Sequence, residues 1–140
     1  MLQATHKREH AATYDAGMAV REAFFGNTCE AREYAAAALD VAKSRDIEYG
    51  AAFALALAGD MARSQALAQN LEKLSEDTYV RFNYLPTLRA LWAVNHGDSS
   101  AAIESLKIVA PYELAVWRSG SGSFGTLYPV YGKASCRRND

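Results

Sequence analysis

Leu55-Ala56-Leu57-Ala58-Gly59-Asp60-Met61-Ala62-Arg63-Ser64 reads as the end of one helix and the start of another. The apolar run stops at a glycine, which enters the left-handed conformation without a Cβ penalty. The aspartate after it can accept a hydrogen bond from the first free amides of a second helix. The same pattern recurs upstream at Gly26-Asn27 and downstream at Gly97-Asp98, at spacings of 33 and 38 residues. Five residues after each glycine stands a small side chain, Ala31, Ser64 or Ala102, where the second helix crosses the first and a larger group would hold them apart. The expectation is an all-α chain of about three repeated helix pairs.

Working outward from the corners, helices are expected over residues 10–25, 28–43, 46–58, 61–74, 78–96 and 99–109. In the fourth, Met61, Ser64, Leu67, Ala68, Leu71 and Leu74 recur at helical spacing; in the sixth, Ala102, Ile103, Leu106, Val109 and Ala110 do so before Pro111 stops the helix. Residues 51–58 are apolar all round, which predicts burial on several sides. Pro86 lies inside the fifth helix and removes one backbone donor, so a kink or two abutting helices are expected there, with the five extra residues of the longer spacing placed before it. The domain plan is a frayed terminus at 1–9, a helical repeat domain at 10–114, a Gly/Ser linker at 115–125 and an incomplete terminal repeat at 126–140.

The chain has 140 residues, enough for one core, and a formal net charge of -1, which excludes a globally basic surface for nucleic acid. No run of apolar residues reaches the length of a membrane span, and the charged start has no apolar segment behind it of the kind a signal peptide needs. Cys29 and Cys136 lie in unrelated settings without metal-ligand or redox spacing.

Nothing in the chain frames a nucleophile, and no catalytic residue, cofactor or metal is expected. Gly120, Gly122 and Gly125 lack the strand before and the Lys-Ser/Thr after that a phosphate loop requires, so they read as a connector. His6 and His10 are four apart and would share a helix face, the geometry for a common metal, yet no carboxylate or thiol accompanies them at ligand spacing; they read as solvated.

With its corners aligned, the chain resembles the tetratricopeptide repeat, through the Gly-Asp turns at 59–60 and 97–98 and the small residues Ala31, Ser64 and Ala102. The runs 77–90, 110–114 and 122–129 are similar in wording to the repeat regions C-terminal to bacterial serine/threonine protein kinase domains. The resemblance implies a right-handed superhelix of helix pairs acting as a non-catalytic protein-interaction module, the scaffold or sensor portion of a signalling protein. It further implies a cytoplasmic location, or an extracytoplasmic one if the module is attached to a membrane-spanning kinase.

In such a superhelix the first helix of each pair lines a concave groove, which would place Tyr49, Phe53, Arg81 and Tyr84 against a protein or peptide partner. The other role open to these rings is filling the core between pairs. The corresponding faces show Ala16, Val20, Tyr49 and Phe53 where a carboxylate clamp would need Lys, Asn and Arg, so that mode is excluded. A helical ligand-binding or self-association domain is the alternative function. At the end of the array, segment 124–131 either folds back over the last helix or makes a homodimer.

Overall fold

The computed structural model describes residues 2–74 and 76–112. Six α-helices follow in order: α1 (Leu2–Phe24), α2 (Thr28–Val41), α3 (Arg45–Leu57), α4 (Met61–Glu72), α5 (Leu85–Asn95) and α6 (Ser99–Lys107). A π-helical turn, Val80–Tyr84, leads into α5, and a 3-10 turn, Ala110–Tyr112, follows α6. Among the described residues there is no strand. The expected linker at 115–125, the terminal segment 126–140 and Cys136 lie outside the described residues.

The three corners have one geometry. Gly26, Gly59 and Gly97 all take positive φ, +82°, +78° and +77°. At each, the glycine amide donates to the carbonyl three residues back (Ala23, Ala56, Val94) and the next amide to the carbonyl five back (Glu22, Leu55, Ala93). This is the paired closure that satisfies the last carbonyls of a helix once one residue turns left-handed. The residue after each glycine opens the next helix: the Asp98 carboxylate accepts from the Ala101 amide at 2.9 Å and Asp60 from Arg63 at 3.3 Å. Asn27 departs from the pattern, its side-chain amide instead donating to Glu22 at 2.6 Å. The small residues fall where expected, Ala31, Ser64 and Ala102 all being fully buried.

The chain divides after Ala68 into two compact units, where one core had been expected from its length. In the first, α1 and α2 form a hairpin and α3 packs against both. Its core is mostly alanine: Ala12, Ala16, Ala19 and Ala23 stripe α1, Ala31, Ala35 and Ala38 stripe α2, and everything from Ile47 to Ala56 on α3 is buried. Side chains this small let helix axes approach closely. Arg32 reaches from α2 to donate to the carbonyl of Ala58 at 2.9 Å, placing a cation at the C-terminal end of α3, where the helix dipole favours it. In the second unit α5 and α6 form a hairpin around Ala90, Ala102, Leu106 and Val109.

Several boundaries differ from the expectation. Helix α1 begins at Leu2 rather than at residue 10, and residues 2–11 are all exposed, so no side chain of this extension is part of the core. Leu74 lies past the end of α4 and is exposed; Ile103 and Ala110 are exposed too, because each sits one residue, about 100° of helical rotation, from a buried neighbour. Around Pro86 the helix is continuous over residues 78–95, five longer than α3, and this accounts for the longer spacing. The π turn widens the helix just before the ring, with the Leu85 amide reaching back to the carbonyl of Val80. Thr87 then supplies a hydroxyl donor to the Asn83 carbonyl at 2.7 Å, close to where the proline has removed an amide. Asp77 caps this helix by accepting from the amides of Tyr79 and Val80 at 2.9 and 3.4 Å.

Candidate interaction surface

Three of the four residues expected to line a groove are buried. Tyr49 and Phe53 are 0% and 1% exposed and Tyr84 is 5% exposed, so as the chain is folded they offer no surface to a partner. The physical cause is visible in the first unit, where the Phe53 ring lies between Phe24 of α1 at 5.9 Å and Tyr49 at 6.0 Å between centroids. Edge-on and tilted contacts of this kind are the favourable geometry for packed aromatic rings. Ala16 and Val20, assigned to the same concave side, are core residues as well.

Arg81 alone of the four is exposed. Its guanidinium stands over the Phe82 ring, 5.1 Å from the centroid, and both residues line an open depression of about 430 Å³ with Glu76 and Thr78. A cation on an aromatic face contributes about 0.5–1 kcal/mol at an exposed site and holds the guanidinium flat. The depression carries charges of both signs, Glu76 and Arg81, so it commits to neither an anion nor a cation.

A different surface emerges on α1. Tyr14, Met18 and Arg21 on α1, and Phe25 in the turn just after it, whose amide still donates to the Arg21 carbonyl at 3.2 Å, recur at intervals of four, three and four residues and so lie on one side, opposite the buried stripe of Ala12, Ala16, Ala19 and Ala23. Tyr14 is 67% and Phe25 74% exposed, Arg21 is exposed and Met18 half-buried. Gly17 adds no side chain, and a Cβ there would meet nothing within 4 Å. The stripe thus presents two rings, a thioether and a guanidinium, the residue types that concentrate in protein interfaces. Sequence reasoning passed over it because the only face of this helix considered was the one that carries Ala16 and Val20. The signal was the second periodicity, Tyr14 to Phe25, running opposite the alanines.

Among the described residues no three or more His, Cys, Asp or Glu side chains gather as a metal site, and no helix is long and apolar enough to cross a membrane. The fold and surface define an all-α chain of helix hairpins with an exposed aromatic stripe. Compared with known proteins, the chain matches no family model, no curated protein and no solved structure.

Proposed function

We propose that the chain is a tetratricopeptide-like interaction module whose helix pairs follow a right-handed superhelix and which binds a protein partner without chemistry of its own. The observation that carries this reading is the recurrence of one corner: three left-handed glycines with the same pair of closing hydrogen bonds, each followed five residues later by a fully buried small residue. Arrays of repeated helix hairpins generate extended surfaces rather than enclosed pockets, which suits binding of another chain. The affiliation with bacterial kinase signalling, and with it the cytoplasmic location, is supported by the wording of residues 77–90, 110–114 and 122–129.

The surface we assign to the partner is the α1 stripe, Tyr14, Met18, Arg21 and Phe25, in place of the buried rings. Exposure of Phe25 and Tyr14 equally favours a second reading, self-association through the same stripe. Both are tested by Tyr14→Ser with Phe25→Ser. An interaction module loses a partner retained by the wild-type chain, with its helical signal and melting temperature unchanged. A self-associating domain instead shifts from dimer to monomer in sedimentation. Retention of the same partner and the same mass by the double variant rejects the stripe as the interface.

A further inference from the structure

We propose that His6 and His10 form an open two-imidazole site for a first-row transition-metal ion of the nickel(II) or copper(II) class. Both lie within α1, which is helical from Leu2, so their spacing of four residues places them one above the other on a single face. The two rings stack with centroids 5.2 Å apart and planes only 15° from parallel, and both side chains are exposed. An imidazole nitrogen binds such ions at about 2.0–2.1 Å, and two histidines at i and i+4 on one helix face are the spacing by which helices present a pair of nitrogens to one ion. Rotation about the torsions of two solvent-exposed side chains carries the rings from stacking to convergence without moving the backbone.

The neighbours one turn beyond the pair, Leu2 and Gln3 before and Thr13 and Tyr14 after, are uncharged, and the two that flank it from within, Lys7 and Glu9, carry opposite charges. The Glu9 carbonyl accepts from the Thr13 hydroxyl at 2.8 Å, and Glu9, three residues after His6, flanks that imidazole one turn along the helix. With no third histidine, thiolate or carboxylate gathered among the described residues, the remaining coordination positions belong to water. Two imidazole nitrogens with water completing the shell match the tetragonal nitrogen-and-oxygen coordination that copper(II) and nickel(II) favour. Because the pair exists only while α1 is helical, binding stabilises this exposed extension by mass action.

The test is calorimetric titration of the full chain with nickel(II) alone, alongside circular dichroism. One ion binds per chain and raises the helical signal. His6→Ala and His10→Ala each lower the affinity at least about tenfold, because a tethered second imidazole acts at high effective concentration. Removing both costs little more than removing either. His96→Ala, far along the chain, changes nothing. A variant with His10→Ala and Ala11→His keeps two histidines on α1 but separates them by five residues, and it binds as weakly as the single variants. If that variant binds like the wild type, or if the single variants each keep half the sites at full affinity, the imidazoles act independently and the shared site is rejected.

Discussion

The hydroxyl of Ser64, fully buried on α4, donates a 2.8 Å hydrogen bond to the main-chain carbonyl of Ala52 on α3. The position is small because α4 crosses its partner there, and it is a serine rather than an alanine with the consequence that the crossing is also hydrogen-bonded. Ser64→Ala keeps the close approach and gives up the bond, so stability in urea should fall by about 1 kcal/mol. Ser64→Leu forces the helices apart and should cost about 1–3 kcal/mol through overpacking, with further loss from the missing bond. Equal effects of the two changes would show that the crossing tolerates bulk.

The same substitution should have opposite signs at two glycines. Gly59 has φ +78° with open space around a would-be Cβ, so Gly59→Ala meets only the backbone penalty of the left-handed region, about 1–2 kcal/mol of destabilisation. Gly17 is inside α1 with equally open space, and Gly17→Ala should stabilise by about 0.5–1 kcal/mol because glycine is the poorer helix former. Thermal unfolding of the two variants checks the pair.

In the second unit Ala102 is fully buried against Ala90, Leu106 and Val109. Ala102→Leu should overpack this cluster and cost about 1–3 kcal/mol. Gln69, exposed on α4, should accept leucine with a change within about 0.5 kcal/mol. A comparison of denaturant midpoints separates them.

Burial assigns the aromatic residues to different roles. Tyr49→Ala removes a ring packed on Phe53 and should cost about 3–5 kcal/mol, with loss of the cooperative transition if the unit cannot absorb it. Phe25→Ser, at a residue 74% exposed, should leave the melting temperature nearly unchanged. Circular dichroism melts of the two variants provide the contrast; a Tyr49→Ala protein as stable as the wild type would return that ring to the surface.

What could be read in the residues alone was local. A glycine that must turn left-handed, an aspartate that caps, and a small residue at a crossing each act within a few residues of chain, so the corners at Gly26, Gly59 and Gly97 and the buried Ala31, Ser64 and Ala102 were legible. So was the insertion before Pro86, although its resolution as a π turn with Thr87 bonded to Asn83 was not. The fate of Tyr49, Phe53 and Tyr84 was decided only by tertiary structure. Periodicity tells which side of a helix is apolar, but in α3, where residues 51–58 are apolar all round, it favours no side. Which of its faces stays open depends on what packs there, and Phe24 together with the alanine stripes of α1 and α2 closes the face on which a groove was expected. The exposed stripe of Tyr14 and Phe25 has the same origin: it is the face of α1 left over once close packing has used the alanines.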